Sequence, residues 1–168
     1  MPSHTRNLRD GQLVIIDATP VTPNELIVEL DQGDLSFTET NVVQTIKNRG
    51  ILHHRRVGDE EELELSFTVK FVQWSYNNGA ATGISVTDAC MGRGGASAWV
   101  STDETCAPFS VDIQFRVADP CNPGSFEVLT FVKCTAFVFA FREGDDMDTL
   151  AVTCRSLSST PVRTYETP

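Results

Sequence analysis

The sequence predicts one mainly β domain, a sandwich or barrel of strands with a short α-helix packed on it. Two segments, Glu62–Phe71 and Val111–Val117, alternate strictly between apolar and polar residues. That period of two is typical of a strand with one buried side and one solvent-facing side. A third segment, Phe126–Phe141, is apolar on both faces, so both faces need cover. The length of 168 residues suits a single domain, and 40% hydrophobic residues suffice for a core.

Shorter strand signals come before these three segments. Gln12–Asp17 and Glu25–Leu30 are rich in aliphatic residues, and Asp34–Glu39 begins a further extended stretch that Asn41–Lys47 continues. The first third of the chain is therefore predicted to be a series of short strands.

The two faces of Phe126–Phe141 differ in residue size. One face is formed by larger residues, namely Leu129, Phe131, Phe137, Phe139 and Phe141. The opposite face is formed by smaller ones, namely Val128, Val132, Cys134, Ala136, Val138 and Ala140. We expect one face to meet the core and the other to lie under a helix or against a neighbouring subunit. The turn residues Glu143–Asp146 and the alternating residues Leu150, Val152 and Cys154 predict a hairpin with one more strand.

One short helix is predicted after residue 85. Ser85 or Thr87 can cap its N-terminus, and Val86, Ala89, Cys90 and Met91 give it an apolar side. Glycines at 92, 94 and 95 end it. Residues 1–157 then form the domain, and the polar stretch 158–168, with two prolines, is expected to be an extended C-terminal tail.

Composition narrows the functional classes. With 13 basic and 23 acidic residues the formal charge is −10, which is unsuited to binding nucleic acid through its phosphates. Such a surface either lets DNA pass without sticking or only keeps the protein soluble.

No apolar run suits a membrane span or a signal peptide, so no membrane anchor is expected and the chain is expected to begin in the cytosol. The five cysteines have no metal-binding spacing, and we expect reduced, mostly buried thiols.

The candidate chemistry is weak, and we expect neither an enzyme nor a cofactor or metal site. His53 and His54 should point to opposite faces of a strand, and the arginines after them repel a cation. The glycines at 92–95 lack the lysine of a phosphate-binding loop and follow a helix instead of opening one. The acids at 59–62 and 145–148 lie in turn-like segments, where carboxylates are solvated and are not tuned for acid–base catalysis.

One segment, Asn48–Glu62, is not explained by core packing. Its first half is basic and its second half is acidic. It either folds on itself as a salt-bridged hairpin or docks onto the opposite charge of an identical neighbour, a head-to-tail contact that builds rings and stacks. The candidate contact residues are Arg49, Gly50, His53, His54, Arg55, Arg56, Asp59, Glu60 and Glu61.

The order of these features resembles the major tail tube proteins of long-tailed, siphovirus-like bacteriophages, which share a fold with type VI secretion tube proteins. The elements that carry the resemblance span nearly the whole chain. They are Asp10-Gly11 before Leu13–Ile16, Gly33–Phe37, Arg49-Gly50, Arg56–Asp59, Leu65–Phe67, the short helix with its glycines and Trp99, and the Phe126–Arg142 strand with its acidic turn.

The resemblance implies a structural virion protein of the viral tail, assembled in the host bacterial cytoplasm. Six copies would join their sheets into a ring with a continuous inner β-barrel, and rings would stack through the Asn48–Glu62 segment. The implied partners are the chain itself, the tape measure protein and the tail terminator, and DNA would pass through without specific binding. The resemblance also places a lumen on the solvent-facing positions of the sheet, for which the candidates are Glu62, Glu64, Ser66, Thr68 and Lys70.

Other readings remain open. The chain could be a head–tail connector, a tail terminator, a decoration protein or a carbohydrate-binding sandwich. A binding module would show exposed aromatic residues in a groove, and the candidates for that role are Trp74, Tyr76 and Trp99. Core packing is the competing role for all three.

Overall fold

The structure, a computed structural model, describes residues 11–28, 35–70, 83–119, 121–122 and 124–167. Ten strands and one α-helix lie within these ranges. The strands are β1 (Gly11–Ile16), β2 (Glu25–Val28), β3 (Ser36–Thr38), β4 (Val43–Asn48), β5 (Ile51–Val57), β6 (Leu63–Lys70), β7 (Val111–Ala118), β8 (Phe126–Arg142), β9 (Thr149–Ser156) and β10 (Val162–Glu166). The helix is α1 (Val86–Met91). The predicted mainly β class with one short flanking helix is confirmed.

The helix has the predicted boundaries. The Ser85 side chain accepts a hydrogen bond from the backbone N–H of Asp88 at 3.1 Å, which caps the N-terminus. Gly92 ends the helix in the left-handed conformation, at a φ of 59°, where a glycine carries no steric penalty. Within the described ranges, no helix has the length and apolar character needed to cross a membrane.

Eight strands form one antiparallel sheet, in the order β2-β1-β7-β8-β9-β6-β3, with β10 paired to β8. The sheet folds over along β8, because the first half of β8 pairs with β7 and β10 and the second half pairs with β9. The two halves enclose the core, and the ring of Phe37 on β3 meets that of Phe131 on β8 edge-on, with centroids 5.2 Å apart. The pairing path of the described strands ends at β2 and β3, so it does not close into a barrel. The ring with an inner β-barrel stays a prediction.

Strand β8 carries two irregularities that the sequence pattern did not predict. Lys133 and Ala136 have positive φ angles of 50° and 53°, and the pairing with both neighbours shifts around them. Each shift in register moves the side chains that follow it to the opposite face of the strand. The predicted core face holds for Leu129, Phe131, Phe137 and Phe139, which all pack in or against the core. The prediction for Cys134 was wrong, because the first shift turns it into the core, where it is fully buried.

Over the described residues the strictly alternating strands behave as predicted, and Phe71 lies outside these residues. On β6, Leu63, Leu65, Phe67 and Val69 are at most 1% exposed, and their register partners on β9 are buried with them. Val111, Ile113 and Val117 on β7 are buried as well. The Asn41–Lys47 stretch was expected to continue the strand before it. Instead, β3 joins the large sheet at β6, whereas β4 pairs with β5 in a separate two-stranded sheet.

Three of the five cysteines lie together in the core. Cys90, Cys134 and Cys154 are fully buried free thiols, whereas Cys106 and Cys121 are exposed. A hydrogen bond with Cys154 and burial raise the pKa of the Cys134 thiol, and burial raises that of Cys90. A raised pKa keeps these thiols protonated, which is the opposite of what a nucleophile or a metal ligand needs.

The C-terminal segment continues the sheet. Residues 162–166, inside the expected tail, form β10, which pairs with β8 from Val162↔Thr130 to Glu166↔Phe126. The Tyr165 hydroxyl donates a 2.7 Å hydrogen bond to the Asp119 carboxylate, and thereby joins β10 to the loop between β7 and β8.

A buried carboxylate organises the turn between β1 and β2. Asp17 is 3% exposed and accepts hydrogen bonds from Thr19, from Asn24 and from the backbone N–H of Val100. Burial alone would raise the pKa of Asp17, but the hydrogen bonds outweigh it and lower the pKa to about 2. The ionised carboxylate therefore stabilises the folded state above its ordinary pKa of 3.8, and this stabilisation is lost as the pH falls from 3.8 towards 2.

We expect Asp17→Asn to lower the free energy of unfolding by about 2 kcal/mol at pH 7, because a shift of one pKa unit corresponds to about 1.4 kcal/mol. The difference between variant and wild type should shrink as the pH falls from about 4 to about 2, because these are roughly the pKa values of Asp17 in the unfolded and the folded chain. Denaturant unfolding across this range measures it, with Asp59→Asn at an exposed position as the control. An equal effect of the two substitutions would contradict the role of Asp17.

Candidate functional site: an exposed arm and an open sheet face

The candidate site begins with the hairpin of β4 and β5, residues 43–57, which we call the arm. Its two strands pair with each other from Val43↔Val57 to Asn48↔Ile51, and no other described strand pairs with them. Arg49 and Gly50 form the two-residue turn, with φ angles of 49° and 84°, and positive φ at both positions is what a type I′ hairpin turn requires. An isolated two-stranded hairpin is at best marginally stable in water. Among the described residues, the arm therefore has no strand partner that would stabilise it.

The arm is exposed along its length. All seven residues of β5 are exposed, and on β4 only Ile46 is half-buried. Apolar side chains are exposed at both ends, with Ile51 at 73% and Leu52 at 66% near the tip, and Val57 at 79% near the base. Aliphatic side chains exposed beside a turn leave apolar surface in water, which is unfavourable.

The charge of the arm is of one sign. It contains Lys47, Arg49, Arg55 and Arg56 and no acidic residue, in a chain whose formal charge is −10. The Arg56 guanidinium is held in place by two hydrogen bonds to the Gln44 side-chain oxygen across the hairpin, at 2.8 and 2.7 Å. The arm is thus a positively charged projection from a negatively charged domain.

The two adjacent histidines lie closer together than the sequence implied. The register shifts between Ile46 and Lys47, so that His54 pairs with Ile46 while Leu52 pairs with Lys47. His53 is the extra residue of this bulge, and its Nδ1 lies 2.6 Å from the Nδ1 of His54. The expectation that the two rings point to opposite faces was wrong, because the bulge turns both to one side. Within the described ranges, no group of three or more His, Cys, Asp or Glu side chains is placed to hold a metal ion.

The acidic half of the Asn48–Glu62 segment does not fold onto the basic half. Asp59, Glu60 and Glu61 are exposed and follow the arm at its base. Within residues 35–70, all of which are described, no ion pair joins them to the arm. The nearby Glu62 lies 3.9 Å from Arg155 of β9. The structure thus shows a hairpin without the internal salt bridges that the first alternative required.

The candidate lumen residues lie where the alternation predicted. Glu64, Ser66, Thr68 and Lys70 point away from the core on β6, and their register partners on β9 are Arg155, Thr153, Ala151 and Thr149. Ala140 and the 62% exposed Val138 continue this surface on β8. We call this surface the open face. Helix α1 packs with the core residues and does not cover it, so the smaller face of β8 remains exposed beyond the second bulge.

One end of the open face forms a groove beside the β8–β9 turn, with a volume of about 740 Å³. Its apolar lining includes Phe141 and Met147, each 40% exposed, together with Ala140 and Ala151. Asp145 and Asp146 line its rim and are exposed, as predicted for solvated acids. Sequence reasoning identified the turn but missed the groove, because the second bulge of β8 decides which side chains reach it.

The aromatic candidates do not form a binding groove in the described residues. Trp99 is 8% exposed and belongs to the core. Trp74 and Tyr76 lie outside the described residues.

Comparisons with known proteins give a weak likeness to a solved structure. No protein-family model and no curated protein matches the chain. Among solved structures, a chain in the cryo-EM structure of the anti-feeding prophage (AFP) baseplate, 6-fold symmetrised, is 10% identical, with 99% of this chain and 96% of that chain covered and a TM-score of 0.46. A likeness of this degree carries no argument about function.

We expect trypsin to cut the isolated chain at the basic residues of the arm before it cuts within the main sheet. A hairpin without tertiary packing opens at little free-energy cost, whereas Arg116 and Lys133 lie in paired strands of the large sheet. Mass spectrometry of the early fragments measures this order. Cleavage within β7 or β8 at the same rate as within the arm would show that the arm is stably packed.

Proposed function

We propose that this chain is a structural subunit of a phage tail or a related particle, and that it polymerises as a tail tube of stacked rings. The observation that carries the proposal is the arm, an exposed and uniformly basic hairpin on an otherwise acidic domain. The sequence resemblance to major tail tube proteins, described above, supplies the particular kind of assembly. The resemblance also supplies the expected number of six copies per ring and two expected partners, the tape measure protein and the tail terminator.

The physical argument for association starts from stability. The domain has its own core, so it can fold as a single copy, but the arm has no packing partner within the described residues. Burying exposed aliphatic side chains against another molecule is favourable by about 25 cal/mol for each Å² of apolar surface. Contact with a second copy would supply that burial and would order the hairpin.

The open face supports the second part of the proposal. Its side chains are mostly small, hydroxylated or charged, and they include the exposed Glu64 and the half-buried Ser66 and Thr68 of the predicted lumen set. The face itself carries Glu64 beside Lys70 and Arg155, so the repulsion of DNA phosphates that the proposal needs comes from the formal charge of −10 on the whole chain. The role requires no catalytic residue, cofactor or metal.

The alternative function is a connector, terminator or decoration protein of the same kind of particle. Such a subunit would form one ring or bind one surface, and it would not polymerise. The length distribution of the assembled particles separates these roles.

Purified protein at increasing concentration should form tubes of stacked rings with a central channel, visible by negative-stain electron microscopy. Assembly should weaken as salt is raised from low to high, because screening reduces the attraction between exposed charges. A chain that stays monomeric at every concentration and ionic strength would refute the proposal, and single rings of fixed size would favour the connector or terminator role.

The charge reversals Arg55→Glu and Arg56→Glu, made together, should impair tube growth while leaving the unfolding transition of the domain unchanged, because both side chains are exposed. The matched control is Arg55→Lys with Arg56→Lys, which keeps the charge and should assemble. Normal tubes from the reversed variant would show that the arm is not the stacking contact.

A further inference from the structure

We propose that the arm of one copy docks into the groove beside the β8–β9 turn of the next copy. This pairing rests on the proposed function and adds the receptor surface for the arm, which neither the charge pattern nor the resemblance identified. It commits to one occupant, a second copy of this chain.

The first argument is charge complementarity. The arm carries four basic side chains and no acidic one, whereas residues 142–148 of the β8–β9 turn carry four acidic side chains and one arginine. Asp145 and Asp146 among these acids line the groove. Exposed charges of opposite sign speed up association and fix its orientation, although each single exposed pair contributes only about 0–1 kcal/mol.

The second argument is that apolar surfaces match as well. Near the tip of the arm, Ile51 and Leu52 are 73% and 66% exposed, and basic side chains flank them. The groove has Phe141 and Met147 in its lining, with the acids at its rim. An apolar tip with a basic surround fits an apolar lining with an acidic rim, and burial of the apolar part supplies affinity that exposed ion pairs alone do not.

The third argument is placement. The arm is joined to the main sheet at the Leu63 end of β6, whereas the groove lies at the opposite end, where Thr68 faces Ala151. The eight residues of β6 separate the two ends by about 23 Å, at roughly 3.3 Å per residue. Two complementary surfaces at opposite ends of one element suit a heterologous contact, which builds an open stack unless the rotation between copies closes a ring.

The test reverses each side of the contact separately. The arm variant is Arg55→Glu with Arg56→Glu, and the groove variant is Asp145→Lys with Asp146→Lys. Each variant alone should raise the protein concentration needed for assembly about tenfold or more, a change of about 1.4 kcal/mol per contact. A 1:1 mixture of the two variants should assemble near the wild-type concentration, because the native arm meets the native groove and the reversed arm meets the reversed groove. Sedimentation velocity measures all three.

A third variant, Glu60→Lys with Glu61→Lys, changes the same number of charges at the acidic base of the arm. It should assemble like the wild type. In a mixture it should take up the arm variant only at the end of a stack, because the native groove of the arm variant accepts a native arm while its reversed arm finds no reversed groove. If it is the one that rescues the arm variant, the receptor is the neighbour's arm base, and the pairing with the groove is overturned.

The two proposals fail in different ways. Wild-type protein that never assembles refutes the tube function and the pairing with it. Wild-type assembly that is lost in the arm variant but unchanged in the groove variant refutes the pairing alone. Thermal unfolding of each variant, with a transition like that of the wild type, shows that the fold is intact.

Discussion

The structure depends on how β8 passes from one half of the sheet to the other. A 17-residue strand that paired without interruption would give a flat ribbon with two apolar faces and no enclosed core. The positive φ angles at Lys133 and Ala136 prevent this. The Lys133 backbone N–H donates to the Asp112 carboxylate at 2.8 Å, and its ammonium group lies 3.0 Å from Asp103. These contacts hold the first irregularity in place, so the bend belongs to the fold and is not a fluctuation.

Most other features follow from that bend. It places β3 over the first half of β8, so that Phe37 reaches Phe131, and it turns Cys134 towards Cys90 and Cys154. It also leaves the second half of β8 with its smaller face exposed, because the core takes only the aromatic face. The open face and the groove are therefore consequences of closing the core with one long strand. The arm leaves the sheet at the other end of β6, which gives the domain two chemically different ends.

The sequence predicted the parts of the fold that depend on local pattern. Period-two alternation identified β6, β7 and β9 with the correct buried faces, and cap and glycine chemistry identified α1 within one residue. It did not predict the bulges of β8 and β5, because a bulge costs little locally and is decided by distant partners such as Asp112. For the same reason the orientation of Cys134 and of the histidine pair was wrong. The charge split of Asn48–Glu62 was visible in the sequence, but the separation of its halves into an arm and a base was not.

The division of charge also limits which contacts between copies are favourable. Two arms repel each other, and so do two grooves, so a symmetric dimer through either surface is opposed by like charges. Only the unlike pair is attractive, and its two members lie at opposite ends of β6. The net charge of −10 opposes the approach of separate copies, whereas the basic arm provides a local attraction, and 0.1 M salt limits both effects to about 10 Å. An acidic chain with one basic arm can thus stay dispersed when dilute and still associate in one direction when concentrated.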